Sequence, residues 1–215
     1  MQRKTPIALG EYYHIYNRGV EKRNIFLDEK DYRRFVRLLR LANGENRLVF
    51  RIVQGLPLDT VSVGQSHVAI GAYVLMPNHF HILLKEIREG GTTRFMEKLQ
   101  TAYSMYFNKR NERVGPLFQG TFKAEHVVSD EHLKYLFAYI HLNPIKLIEP
   151  KWKETGIQNH YKAEKLLKQY AFSSYADYSR IAREEKILLS AHEFPDYFSK
   201  PNSFETYVQD WLVQG

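Results

Sequence analysis

The sequence predicts an α+β fold, a sandwich in which a mainly antiparallel sheet is flanked by helices. Three observations carry this. Strand-type and helix-type segments follow one another in the order β-α-β-β-β-α-β-α, without the long pattern of a parallel sheet. Two apolar runs are separated only by Met76-Pro77-Asn78, the spacing of adjacent antiparallel strands. Of the 215 residues 44% are hydrophobic, including 13 Phe and 15 Tyr, which is enough to fill a core between layers.

Each element has a local reason. Tyr12-Tyr13-His14-Ile15-Tyr16-Asn17 is aromatic and β-branched and ends at Gly19, the pattern of a strand and a turn. Asp28 stands at a helix N-cap position ahead of Tyr32, Phe35, Val36, Leu38, Leu39 and Leu41, which recur at helical spacing until Asn43-Gly44. Leu48 to Val53 reads as a second strand, and Gly55 to Gln65 as a loop insertion. His67 to Leu75 and Phe80 to Leu84 form the hairpin.

A helix from about Thr93 to Asn108 carries Phe95, Met96, Leu99, Tyr103, Tyr106 and Phe107 on its apolar side. Lys109-Arg110-Asn111-Glu112-Arg113 is a charged connector, and Phe118 to Val128 reads as a bent strand. Ser129 opens another helix through Leu133, Leu136, Phe137 and Ile140, which Pro144 stops. From Trp152 the chain reads as helical and polar. The expected organisation is a core over residues 1–150 and a helical C-terminal extension over 151–215.

Composition narrows the function. Lys and Arg number 31 against 24 Asp and Glu, a formal net charge of +7, which favours a polyanionic partner such as nucleic acid or an anionic membrane surface. The absence of cysteine excludes disulfides, cysteine-ligated zinc, iron–sulfur clusters and thiol catalysis. Met1 to Pro6 begins basic but has no apolar run behind it, so no secretory signal is expected. No stretch approaches the roughly 18 apolar residues of a membrane span. The expectation is a soluble cytoplasmic protein with no membrane partner.

Two constellations could carry chemistry. In Met76-Pro77-Asn78-His79-Phe80-His81, residues i and i+2 of a strand share a face, so His79 and His81 project together. They suit a shared divalent metal, or are two polar histidines on a half-exposed strand. In Tyr139-Ile140-His141-Leu142-Asn143-Pro144, Tyr139 and Asn143 are i and i+4 on one helix face. They could meet a metal opposite the helix, or Tyr139 could cap the apolar face while Asn143 serves the helix end. Tyr103 and Tyr106 are rival hydroxyls. They lie in an aromatic stripe of the kind that usually packs a core, and Phe107 and Arg110 stand four residues beyond them, where Tyr139 has an amide.

Taken together, the Met-Pro-Asn-His-Phe-His hairpin and the downstream Tyr139-x-x-x-Asn143-Pro144 resemble the single-tyrosine HUH transposases, in particular the REP-associated tyrosine transposases of the IS200-like group. Tyr12-His14-Asn17-Arg18-Gly19 and Phe172-Ser173-Ser174-Tyr175 are similar to the same branch. The resemblance spans about residues 10 to 180. The segment beyond Arg180 has no counterpart, and the loop Gln54–Gln65 is longer than the family's usual connector.

The resemblance implies a ferredoxin-like core over residues 1–150, cleavage of single-stranded DNA beside a hairpin, and a covalent 5′-phosphotyrosine. It implies Tyr139 as nucleophile, His79 and His81 as metal ligands and Asn143 as the third protein ligand. A phenol with an ordinary pKa near 10 needs activation at neutral pH, and a ligand set of nitrogen and oxygen without thiolate suits Mg2+ or Mn2+. Arg18, Lys22, Arg23, Lys109, Arg110 and Arg113 are together candidates for neutralising DNA phosphates, with tyrosines and Phe118 available to stack on bases; singly, each reads more readily as solvated surface charge. The expected partner is single-stranded DNA with REP-like hairpins, bound by a monomer or homodimer. Two other classes remain open: a binder or repressor on the same fold without cleavage, and an RNA-binding α+β domain.

Overall fold

The computed structural model describes residues 6–46 and 50–214. The basic start at Met1–Thr5, and Leu48 and Val49 at the head of the expected second strand, lie outside the described residues. The first strand, β1 (Tyr12–Arg18), is the aromatic and β-branched run. Helix α1 (Glu29–Asn43) starts where the Asp28 carboxylate accepts from the backbone N–H groups of Lys30 and Asp31. A single turn, α2 (Phe50–Val53), precedes β2 (Val68–Met76) and β3 (His79–Glu86). Then come α3 (Gly91–Arg110), the short β4 (Lys123–His126) and α4 (Asp130–Leu142). Ser129 caps α4 by accepting from the His132 N–H.

The four strands pair in the order β2-β3-β1-β4, every pair antiparallel. With the main helices this is the β-α-β-β-α-β split arrangement of a ferredoxin-like fold. One sheet face buries Tyr13, Ile15, Phe80, Ile82 and Leu84 under α1 and α3. The other meets α4, where Leu133, Leu136, Phe137 and Ile140 pack on Val74, Met76 and Leu83. Their spacing along α4 is the 3.6-residue period that gives a helix one apolar face.

Two sequence expectations need correction. Phe50–Val53 is helical rather than strand, and Val53 packs with Leu41, Val61 and Val63 in a small satellite cluster. The β2 edge that such a strand could have joined is already taken: Leu75 N–H donates to Phe172 O at 2.9 Å and Ser174 N–H donates to Tyr73 O at 3.0 Å. Of Phe118–Val128 only Lys123–His126 pairs with β1, because Gly120 turns the chain at a φ of 68°.

The tail is helical, as expected, but not simply polar. It contains α5 (Trp152–Thr155), α6 (His160–Gln169), α7 (Tyr175–Tyr178) and α8 (Ser203–Gln214). Trp152, Leu167, Tyr175, Phe204, Val208 and Leu212 bury against Ala138, Leu142 and Ile145. Apolar residues one turn apart among lysines and glutamates average to a polar composition while still making one dry face. Phe172-Ser173-Ser174-Tyr175 fastens this layer. The Ser174 hydroxyl accepts from Tyr73 N–H at 3.0 Å and bonds His141 Nε2 of α4 at 2.7 Å. Among the described residues no helix is long and apolar enough to cross a membrane.

Candidate active site

The site lies on the sheet face under α4, and strand register assembles it. Tyr16 pairs with His81, Arg18 with His79, and His14 with Leu83 across β1 and β3. Across β1 and β4, His14 stands opposite Glu125. Paired residues in a sheet point to the same side, so Tyr16 joins the two histidines of β3 on the face opposite Phe80 and Ile82. Alternation along β1 brings His14 to that face as well.

The histidine pair is arranged as its spacing predicts. The rings of His79 and His81 have centroids 5.0 Å apart and stand at 90°. Asn78 orients His79: its Nδ2 donates to Lys22 O at 3.2 Å, which turns Oδ1 toward His79 Nδ1 at 2.6 Å. A carbonyl oxygen only accepts, so the His79 proton sits on Nδ1 and Nε2 keeps its lone pair. His81, only 6% exposed, has its Nδ1 2.8 Å from His14 Nε2, and the two rings stack at 5.0 Å.

Tyr139 reaches these histidines from α4. Its ring meets His81 edge-on at 5.7 Å and His14 at 5.6 Å. Asn143 is fully buried; its Nδ2 donates to Tyr139 O at 2.8 Å, and its Oδ1 accepts from Lys146 Nζ at 3.2 Å. The chain then doubles back through a 3₁₀ segment, Asn143–Leu147, and α5 brings Lys153 Nζ to 3.8 Å from the Tyr139 ring centroid. Lys146 and Lys153 follow the motif, and the sequence reading missed both. Only Lys146 leaves a trace, three residues past Asn143 within the same helical path.

Burial sets the electrostatics. It pushes His79 down to about 4, with Lys146 and Arg18 adding to the effect. It also pushes His14 down to about 4, against the pull of Glu125, and holds His81 well below the usual imidazole range. All three are therefore neutral at physiological pH, the form in which imidazole binds metal. Burial raises the Tyr139 phenol, reinforced by Tyr135 and Glu125. Lys153 is pushed down to about 8 by burial and by Lys146. Tyr16, whose hydroxyl donates to Glu125 Oε1 at 2.7 Å, is pushed up to about 12 by burial and that bond.

The rival Tyr103 lies in the core on the other sheet face, fully buried, with its hydroxyl donating to Ile25 O. Of the basic candidates, Arg18 stands beside the histidines at the end of β1. There Tyr16, Asn17, Arg18, Gln119 and Lys123 wall a cavity of about 430 Å³. Lys22 follows in the turn bonded to Asn78. Arg23 pairs with Glu21 at 3.1 Å. The second basic group is elsewhere, at the end of α3. Arg110 is ion-paired to Asp28 and Asp31, and Arg113 donates to Asn108 Oδ1 at 2.6 Å and to Pro116 O at 3.2 Å. Lys109 is exposed in the last turn of α3. A larger cavity of about 580 Å³, walled by Phe137, Tyr178, Phe194, Tyr197 and Phe198, lies under the tail away from the histidines.

The donors fit a hard divalent ion in part. Among the described residues no group of three or more His, Cys, Asp or Glu is placed to hold a metal. Two neutral imidazoles, those of His79 and His81, stand together, and Asn143 closes the C-terminal end of α4. The Asn143 amide oxygen already accepts from a cation, the Lys146 ammonium. An ion held this way would take its remaining positions from phosphate and water oxygens.

Residues 62–143 match the family model described as "Transposase IS200 like". No curated protein matches the sequence. Among solved structures, a REP-associated tyrosine transposase bound to a REP hairpin aligns over 86% of this chain and 90% of its own, with a TM-score of 0.49 and 12% identity. Over residues 62–143, from the approach to β2 through both histidines of β3 to Asn143, this chain is similar to the IS200-like transposases.

Proposed function

We propose that the chain is a transposase-type nuclease and strand transferase acting on single-stranded DNA beside hairpins. In this reading Tyr139 is the nucleophile, and His79, His81 and Asn143 are the metal ligands. The observation that supports it most is the position of Tyr139: its ring touches both His81 and His14 at 5.7 and 5.6 Å, inside the segment similar to IS200-like transposases.

The reaction follows from the residues. The Tyr139 oxygen attacks a backbone phosphorus and loses its proton; the bond from phosphorus to the upstream 3′ oxygen breaks, and that oxygen leaves as a hydroxyl after taking up a proton. The 5′ phosphate stays esterified to Tyr139, and attack by another 3′ hydroxyl transfers the strand and regenerates the phenol. A bound Mg2+ or Mn2+ ion would polarise the phosphate. Lys153 holds its ammonium 3.8 Å from the centre of the Tyr139 ring, a cation beside the attacking residue. Arg18 and Lys22 neutralise neighbouring phosphates, and Tyr16 offers a stacking surface. Residues 1–150 form the catalytic unit, and residues 151–215 a helical extension that supplies Lys153.

A second reading has one observation in its favour. The Asn143 oxygen is occupied by Lys146, which suits a hairpin binder that does not cleave. One experiment separates them. Protein is mixed with a labelled single-stranded hairpin substrate and Mn2+, then run on a denaturing gel. A covalent adduct present in the parent and absent in Tyr139→Phe supports the nuclease; binding without adduct across a panel of hairpins supports the binder.

A further inference from the structure

We propose that His14, backed by Glu125, is a positioning residue that fixes the tautomer and orientation of His81. The proposal rests on the reading of His81 as a metal ligand and adds to it a residue that no spacing rule connects to the histidine pair.

Proton bookkeeping along three side chains carries the argument. Glu125 is held in place because its Oε1 accepts from the Tyr16 hydroxyl at 2.7 Å. Its Oε2 then lies 3.6 Å from His14 Nδ1. Carboxylate oxygens only accept, so their field favours the His14 proton on Nδ1 and leaves Nε2 as a lone pair. That lone pair faces His81 Nδ1 at 2.8 Å, a buried contact in which one nitrogen must donate. The donor is therefore His81 Nδ1–H, and the lone pair of His81 remains on Nε2.

His79 reaches the same state by a different route, through Asn78 Oδ1. The two imidazoles thus present the same nitrogen, Nε2, although one is set by a neighbouring amide and the other by a histidine two strand positions from Tyr16. Both outer partners are local in space and fixed by further bonds, to Lys22 O for Asn78 and to Tyr16 for Glu125. A ligand imidazole whose other nitrogen is tied in this way needs no reorganisation to bind a cation. The stack of His14 on His81 at 5.0 Å also restricts rotation of the His81 ring.

The test uses the full chain and Mn2+ alone. Free Mn2+ is followed by electron paramagnetic resonance, and the His81 tautomer by ring 15N shifts in metal-free protein. His14→Phe keeps an aromatic ring and removes the acceptor; it should weaken Mn2+ binding about 10- to 100-fold and leave His81 in mixed tautomers. His14→Gln, whose side-chain oxygen can accept from His81 Nδ1–H, should recover most of the affinity and the single tautomer. Glu125→Ala should weaken binding several-fold; this side chain is 57% exposed, so the variant keeps its fold even if His14→Phe does not. A parent that binds Mn2+, with variants that bind as tightly and keep His81 as the Nδ1–H tautomer, overturns the proposal. A parent that binds no Mn2+ sinks the ligand reading instead, and the tautomer shifts still decide the role of His14.

Discussion

His141 offers a prediction whose size can be worked out from its surroundings. The imidazole is fully buried in α4, with Nδ1 2.7 Å from Phe137 O and Nε2 2.7 Å from the Ser174 hydroxyl. The carbonyl can only accept, so Nδ1 carries the proton and Nε2 accepts from Ser174, which is the neutral ring. Burial pushes its pKa from 6.5 down to about 3. Between those values the unfolded chain binds a proton that the folded chain does not. Stability is therefore full above about pH 6.5 and is lost as pH falls toward 3. The slope from this one group is about 1.4 kcal/mol per pH unit. His141→Gln removes the titration and part of the hydrogen bonding, at a cost near pH 7.5 of about 1–3 kcal/mol. By pH 5 the parent should have lost about 2 kcal/mol that the variant keeps, so the stability gap narrows or closes on acidification. Urea unfolding of both proteins at pH 7.5, 6 and 5 measures this. A gap that stays constant with pH would refute the reasoning about burial.

Four further predictions concern the site and its surroundings. Arg110→Ala should lower stability, because Asp31, whose side chain is wholly buried, loses its cation; urea unfolding of parent and variant measures the loss. Lys22→Ala should leave stability unchanged while lowering the slope of log affinity against log salt by about one; denaturation and salt-titrated DNA binding read the two out. His79→Ala and His81→Ala should each reduce Mn2+ affinity by a large factor, and His81→Ala should also lower the melting temperature because it leaves His14 Nε2 without its buried partner; unchanged affinity would remove them as ligands. Lys146→Met should raise Mn2+ affinity if the Asn143 oxygen is a ligand, because the competing ammonium is gone; calorimetry decides.

The parts of the fold that sequence reveals are those with a local period. α1 and α4 showed their caps and apolar stripes, and the β2–β3 hairpin showed its two runs and short connector. Phe50–Val53 was misread because a few apolar residues fit one helical turn as well as a short strand, and only the occupied β2 edge decides. The tail was read as polar because Phe204, Val208 and Leu212 are spaced among charged residues.

The candidate site divides the same way. The His79 and His81 juxtaposition follows from strand alternation, and Asn143 over Tyr139 from helix geometry. His14 already stands in the first-strand motif, but its contact with His81, like that of Glu125 with His14, follows only from the pairing of β1 with β3 and β4, a register that no single segment encodes. Lys153 arrives by a turn of the chain after Pro144 and carries no motif. Arg110 reads from sequence as a candidate for DNA phosphates in a charged connector; in the structure it ends α3 and closes an ion-pair cluster with Asp28 and Asp31, far away in sequence.

The central claim is that Tyr139 forms a bond to DNA, and peptide mapping tests it most directly. Protein reacted with hairpin DNA and Mn2+ is digested with nuclease and trypsin, and the modified peptide is sequenced by mass spectrometry. The account predicts a nucleotide phosphate on residues 135–146, localised by fragmentation to Tyr139 rather than Tyr135. Modification of the peptide 99–109 at Tyr103 or Tyr106, or no modified tyrosine in a protein that cleaves the DNA, would contradict it.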